Sequence, residues 1–311
     1  MRACVIFNPT ARGEKANRFR RQLDGIATEA KLRLTAEVGE ARRLAAEAVD
    51  EGFEVIVAAG GDGTLNEVLN GIADAPEGLE RACLGVLPLG TVNVFAREVA
   101  IPAKFDQAWA VIRRGRTLRI DLPSVEYSAS PPFPLSIPWR GGQGERRVQR
   151  RCFAQLAGAG LDARAIELVK WQVKKTVGPM AYVLAGLHAV LGVPSKITAA
   201  GAGHSTTGEL AMIGNGRFYG GQFTLFPQAD LRDGLLEVCV LPRANWLTLV
   251  RCTPALLLCR TLPASVTKIF QAPSLTLTSP TPAPLQIDGE LIGQVPAAFS
   301  IQRSRLRVIV P

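Results

Sequence analysis

The chain has 311 residues, of which 47% are hydrophobic and 20% charged, a composition that excludes global disorder and suits a folded globular protein. Its 36 Lys and Arg against 27 Asp and Glu leave a formal charge of +9, which favours anionic partners, while an aromatic content of 6% argues against nucleic acid held by stacked bases. At roughly 100–200 residues per domain, two domains are expected.

In chain order, Ala3–Phe7 reads as a short buried strand that meets a turn at Asn8–Gly13. A basic helical stretch follows at about Glu14–Ala30, then a strand at Leu32–Thr35 and an Ala-rich helix at Glu40–Glu51. Phe53–Ala59 is a continuous apolar run ending in Gly60-Gly61-Asp62-Gly63. From Thr64 to Ile72 the period becomes helical, with Leu65, Val68, Leu69 and Ile72 on one face. Cys83–Leu87 is another buried strand, closed by Pro88 and Gly90, and helical stretches follow at Asn93–Glu98 and Phe105–Arg114. This alternation predicts an α/β unit with a mostly parallel sheet and helices on both faces.

After Asp121 the texture changes. Ser128–Gly144 is dense in Pro, Gly and Ser and predicts a long loop. Beyond it, β-type runs at Cys152–Ala157, Leu210–Gly214, Gln222–Phe226, Leu235–Leu241, Ser274–Thr278 and Pro284–Ile287 predict an antiparallel, β-sandwich-like domain. Two helical interruptions fall at Ala163–Leu191 and Asn245–Arg260. The boundary is placed near residue 122.

Cys4, Cys83, Cys152, Cys239, Cys252 and Cys259 form no C-x-x-C pair, and His188 and His204 are the only histidines, so no zinc site is expected. The thiols read as buried and reduced, in a cytoplasmic protein. No apolar stretch reaches the ~18–20 residues of a membrane span, and Met1–Phe7 lacks the apolar core of a signal peptide, so membrane contact is expected to be peripheral.

The strongest chemical signal is Gly60-Gly61-Asp62-Gly63-Thr64-Leu65-Asn66-Glu67-Val68, between a buried strand and a helix. Glycines let a phosphate approach backbone N–H groups, and the following helix N-terminus favours the anion. Asp62, a carboxylate in such a site, suggests handling of Mg²⁺. The segment is neither a Walker A loop nor a G-x-G-x-x-G fingerprint. A second turn of the same kind, Gly90-Thr91-Val92-Asn93, follows the next strand.

Together with these two turns, further segments carry a resemblance over nearly the whole chain: Asn8-Pro9, Gly158–Ala163, Lys174-Lys175 before Gly178, Gly214–Arg217 with Gly220-Gly221, Asp233–Leu236, and Ile287-Asp288-Gly289-Glu290. The chain resembles the diacylglycerol kinase-like lipid kinases, which include bacterial lipid kinases, sphingosine kinases and ceramide kinases. The resemblance implies a nucleotide-binding domain (residues 1–122, with a returning C-terminal strand at about 303–311) and a lipid-binding domain (123–302), with ATP in the cleft between them. It implies ATP contacts at Asn8, Pro9, Thr10, Ala11, Arg12, Thr35, Gly60, Gly61, Asp62, Gly63, Thr64, Leu65, Asn66 and Thr91. It implies Mg²⁺ at Asp233, flanked by Asp230 and Leu235, and a general base at Glu290 or, second, Asp288. The implied reaction moves a γ-phosphoryl group to a lipid hydroxyl, diacylglycerol first among acceptors, at an anionic membrane surface. A soluble-metabolite kinase of the NAD kinase type, or a nucleotide- or lipid-binding module without catalysis, are the alternatives.

Three positions depart from the family pattern: Val94 stands where an Asp is usual, Gln222 replaces a third glycine, and Arg12 replaces a glycine. Without the resemblance, Asp288 and Glu290 read as two carboxylates on one face of a strand-like run, or as a plain D-G turn. Arg140, Arg146, Arg147, Arg150 and Arg151 form a basic cluster suited to anionic lipid, or simply a solvated loop. Lys170, Trp171, Lys174 and Lys175 are a second interfacial candidate. Nothing in the sequence sets an oligomeric state.

Overall fold

The computed structural model describes residues 2–9, 22–128, 148–161, 163, 195–221, 223–245, 247–248, 251–252 and 262–311. Strands β1 (Ala3–Phe7), β2 (Lys31–Leu34), β3 (Val55–Gly60) and β4 (Cys83–Pro88) run parallel in the order β2-β1-β3-β4. Every residue of β1, β3 and β4 is buried, which is why these strands read as continuous apolar runs rather than alternating ones.

The helices lying wholly within the described residues of this unit are α1 (Glu40–Asp50), α2 (Asp62–Asp74), α3 (Gly78–Arg81), α4 (Val94–Glu98) and α5 (Phe105–Arg114). Leu65, Val68, Leu69 and Ile72 of α2 are all buried, the face its 3.6-residue period predicts. Helix α1 packs on α2, α2 on β3 and α5 on β4. A Cβ at Gly71 would lie 2.1 Å from the Arg42 carbonyl oxygen, so the close α1–α2 crossing requires glycine there.

The remaining strands are β5 (Thr117–Ser128), β6 (Val148–Cys152), β7 (Leu156–Gly160), β8 (Ile197–Gly201), β9 (His204–Gly208), β10 (Leu210–Gly214), β11 (Phe218–Tyr219), β12 (Phe223–Thr224), β13 (Leu236–Leu241), β14 (Lys268–Ala272), β15 (Ser274–Thr278), β16 (Pro284–Ile287) and β17 (Glu290–Ile309). Apart from the parallel block and its contact with β17, their pairings are antiparallel. The architecture is therefore a mostly parallel α/β unit joined to an antiparallel β-rich one.

The join is made by two long strands. β17 starts against β16, pairs along β5 and ends parallel to β4 at Val308↔Leu84. Leu306, Val308 and Ile309 sit in the same hydrophobic cluster as β1, β3 and β4, whereas Phe299 of the same strand packs in the cluster of Val125, Phe153, Ile213 and Val238.

Several expected elements change. Of the Glu14–Ala30 helix, residues 22–24 are helical and 25–29 are turn, with Gly25 at the break; residues 10–21 lie outside the described ones. β5 runs unbroken through residue 122. The Cys152–Ala157 run is two strands, separated where successive N–H groups turn onto a carboxylate described below. The Gln222–Phe226 run shortens to β12, and Gln222 lies outside the described residues. The Ser128–Gly144 loop beyond Ser128 and most of both helical interruptions also lie outside; residues 163, 247–248 and 251–252 are helical. α3, β8, β9, β11 and β14 have no counterpart among the elements expected from the sequence.

Candidate active site

Parallel strands end together, and here four ends make one rim. Register pairs Phe7 with Leu34 and Ala59, and Gly60 with Pro88. Asn8, Thr35, Gly61 and Leu89 therefore follow their strands side by side, where open α/β sheets bind ligands. Thr35 donates its N–H to the Phe7 carbonyl (2.9 Å), and its buried Oγ1 meets no partner among the described residues. Thr10, Ala11 and Arg12 lie outside the described residues.

The two glycine turns pack on each other. A Cβ at Gly90 would sit 2.4 Å from Gly61 Cα and 2.6 Å from Asn93 Oδ1. The N–H groups of Leu89 and Gly90 both donate to the Gly60 carbonyl, at 2.9 and 3.1 Å. Asn93, in the left-handed region at φ 51°, closes its own turn by accepting from Gly90 N–H (3.1 Å) and donating to Gly90 O (2.9 Å). Gly61 caps α2 without a side-chain bond, so the first N–H groups of α2 are available to an anion, and the space around Gly63 is open. Thr64 and Leu65 are buried and Thr91 is exposed. These glycine-lined turns fit a bound nucleotide phosphate.

Asp62, at the start of α2, accepts from Phe95 N–H (3.4 Å) at the first turn of α4. A small cavity beside it is walled by Ala58, Leu65, Val86 and Ala96. Burial in these surroundings pushes the Asp62 carboxyl up; the N–H groups that begin α4 pull it down, and the nearby Asp288 charge adds to the rise. Val94 is the first residue of α4.

Asn66, one turn along α2 and 1% exposed, is the hub between the two units. Its Nδ2 donates to Asp288 Oδ2 (2.8 Å) and to the Cys152 carbonyl (3.1 Å). Its Oδ1 accepts from Arg151 Nη2 at 2.8 Å. Asn70, one turn further, accepts from Cys152 N–H and donates to the Cys152 carbonyl, both at 2.9 Å.

Asp288 and Glu290 do not share a strand face. Asp288 and Gly289 have φ of 45° and 87° and form the turn between β16 and β17. Asp288 turns inward: Oδ1 accepts from Gln155 N–H (3.0 Å) and Leu156 N–H (3.1 Å), and Oδ2 accepts from Ala154 N–H and Asn66, both at 2.8 Å. This ring of donors is what bends the chain between β6 and β7. Burial pushes the Asp288 carboxyl up, and these four donors, which favour the ionised form, pull it back. Glu290 turns outward with a side chain 43% exposed, held by Arg151 Nη1 to Oε1 (3.1 Å) and Nη2 to Oε2 (2.9 Å).

Arg151 thus leaves the basic surface cluster in which the sequence places it. Neighbouring residues of β6 point to opposite sides, so Arg150 is exposed and donates to Ser124 Oγ while Arg151 faces the cleft. Arg140, Arg146 and Arg147, and Lys170, Trp171, Lys174 and Lys175, lie outside the described residues.

Glu98, at the end of α4 and 3% exposed in its side chain, ties the nucleotide side to the β-rich side. It accepts from Arg217 N–H (2.7 Å), Arg217 Nε (2.9 Å), Phe218 N–H (3.2 Å) and Gln155 Nε2 (2.8 Å). Sequence reading missed it; an acid closing a short helix gives no local signal of a partner 119 residues away. Glu98→Ala strands these donors, and a loss on the order of 3 kcal/mol is expected, read as a lower urea midpoint. An unchanged midpoint would show that Glu98 does not hold the two units together.

Asp230, Asp233 and Leu235 form a separate loop beneath Asp121. Asp121 is buried; its Oδ2 accepts from Gly234 N–H (2.6 Å) and its Oδ1 from Ser304 N–H (2.7 Å). With both oxygens so engaged, it anchors this loop. Asp233 accepts from Leu235 N–H (2.8 Å), and its carbonyl accepts from Arg303. Burial pushes the Asp233 carboxyl up, and the charges of Asp230 and Asp121 push it further. Asp230 Oδ1 accepts from Arg232 N–H (3.0 Å) and Nε (3.4 Å), so its other oxygen and those of Asp233 are the hard donors that fit Mg²⁺, which binds through one or two carboxylates and keeps several waters. Among the described residues no three or more His, Cys, Asp or Glu gather as a ready cation cage.

The fold and the rim of turns define an α/β unit with a phosphate-binding edge, joined to an antiparallel β-rich unit. Residues 2–125 match the diacylglycerol kinase catalytic domain, and residues 155–310 match the YegS C-terminal NAD kinase beta sandwich-like domain. The chain is 30% identical over 322 residues to "Diacylglycerol kinase" of Staphylococcus aureus (strain bovine RF122 / ET3-1), covering all of this chain and 92% of that one. It is 33% identical over 295 residues to "Probable lipid kinase YegS-like" of Stenotrophomonas maltophilia (strain K279a), covering 92% and 88%. A solved chain from Bacillus anthracis str. Sterne has the same fold, with a TM-score of 0.75 at 20% identity over 100% of this chain and 97% of that one. The chain belongs to the diacylglycerol kinase and YegS-like lipid kinase family, and it is a kinase. Among the described residues no helix is long and apolar enough to cross a membrane.

Proposed function

We propose that this kinase transfers the γ-phosphoryl group of ATP to a lipid hydroxyl, with diacylglycerol the acceptor and phosphatidic acid the product. The observation that carries this reading is Asn66: one amide, in the segment that follows the glycine turn, touches Asp288 and the Arg151 fork that holds Glu290. Phosphoryl transfer is mostly positioning and charge stabilisation, which such a fixed constellation supplies.

Glu290 accepts the proton of the acceptor hydroxyl while that oxygen bonds to the γ-phosphorus and the β–γ bridging oxygen leaves with ADP. Its exposed side chain and the lone pairs left over by the Arg151 fork suit it to this task. Asp288, with both oxygens already accepting two donors each, suits a scaffold role. Asn8, Thr35, the Gly60–Asn66 segment and Thr91 line the nucleotide side. Asp230, Asp233 and the backbone near Leu235 would hold Mg²⁺, which supplies positive charge when bound. The test is one incubation of the protein with labelled ATP, Mg²⁺ and a total lipid extract: label in phosphatidic acid supports the reading, and label confined to a water-soluble product overturns it.

The acceptor is membrane-bound, so docking belongs to the same proposal. Each basic residue near an anionic surface adds about 1 kcal/mol, screened by salt. Replacing Arg146, Arg147 and Arg150 with Gln is expected to weaken co-sedimentation with phosphatidylserine vesicles at low salt and leave ATP affinity intact. Arg151 is spared because it holds Glu290. Unchanged sedimentation would reduce the cluster to a solvated surface.

A further inference from the structure

We infer that Arg151 is a positioning residue for phosphoryl transfer, acting through Glu290 and Asn66. This rests on the assignment of Glu290 as the base. Its guanidinium is 14% exposed in side-chain terms and meets both oxygens of Glu290 with its two terminal nitrogens. A planar fork on a carboxylate fixes its rotation as well as its position, which a lysine ammonium cannot do. Each Glu290 oxygen accepts one Arg151 donor and keeps a further lone pair, so the fork holds the carboxylate without using up its accepting capacity.

The second bond extends this role to the nucleotide side. Because Arg151 donates to Asn66 Oδ1, the Asn66 NH₂ must face Asp288 and the Cys152 carbonyl. Together with Asn70 Nδ2, which donates to the same Asn66 oxygen at 3.1 Å, this guanidinium fixes the orientation of an amide on α2, and by itself that of the carboxylate that begins β17, residues 224 apart (290 − 66) and brought together only in the folded chain. Arg151 Nε is buried and has no partner among the described residues, so the side chain has given up one of its hydrogen bonds to hold this pose.

The test is kinetic. Arg151→Met is expected to lower kcat about 10–100-fold, the cost of a misplaced catalytic group, while KM for ATP changes little. Arg151→Lys should recover part of the rate, and it keeps the question answerable if the methionine variant does not fold. In a Glu290→Gln background, Arg151→Met should cost far less than it does alone, because the carboxylate it aims is gone and only the Asn66 bond remains to be lost. A role confined to structure predicts the opposite: a lower melting temperature and a loss that multiplies with Glu290→Gln. A wild-type rate in folded Arg151→Met or Arg151→Lys alongside a slow Glu290→Gln overturns this inference alone. A wild-type rate in Glu290→Gln overturns the base assignment beneath it.

Discussion

Glu290→Gln is expected to slow turnover by about 10²–10⁴-fold, the usual contribution of a general base, and to leave nucleotide binding intact. The amide keeps the size of the carboxylate and loses its ability to take a proton. The Arg151 fork meets one oxygen and one NH₂ in place of two oxygens, so part of the anchoring is lost too. Nucleotide affinity should survive because the turns at Asn8, Gly61 and Gly90 follow strands β1, β3 and β4, on the other side of Asn66. Titration calorimetry with ATP and steady-state rates on mixed micelles separate the two effects. Wild-type turnover would move the base elsewhere, and Asp288 is the next carboxylate along the same turn.

Asp62→Asn is expected to cost about 10²–10³-fold in rate and to raise thermal stability at neutral pH. Burial lifts the Asp62 carboxyl above its ordinary value of 3.8. The folded state then holds this proton more tightly than the unfolded state does. The contribution to stability is fully present below 3.8 and is lost as pH rises through the raised folded value. An asparagine does not titrate, and its Oδ1 still accepts from Phe95 N–H, so the variant should melt higher than the parent at pH 7 and equally at pH 3. A lower melting temperature at pH 7 would show that the charge is stabilised by its surroundings, as the N–H groups of α4 alone would have it.

The α/β half was legible because its signals are local. β1, β3 and β4 are apolar runs buried on both faces, α2 carries an unbroken 3.6-residue stripe, and glycines must stand wherever two backbones approach as closely as Gly61 and Gly90 do. The phosphate turns could be read from the same places, since such a site needs glycine turns at strand ends, whereas the family resemblance also drew on motifs of the second half such as Asp233–Leu236 and Ile287–Glu290. β10, β15 and β16 were likewise marked by short runs between turn residues.

What the sequence by itself determined, then, is the parallel unit and its glycine turns, each legible within one short segment, and the kinase family, through motifs spread from Asn8 to Glu290. What only the tertiary structure decided is how the two halves share a site. Arg150 and Arg151 are equivalent letters in a basic run until β6 turns one to Ser124 and the other to Glu290. Asp288 and Glu290 are a plain D-G-E turn until three backbone N–H groups and Asn66 draw the first inward and leave the second facing the cleft. Glu98 is one acid among many until α4 brings it against Arg217. Contacts across 119 to 222 positions leave no period or spacing in the chain, because they are set by strand pairing and by the need of every buried polar group for a partner.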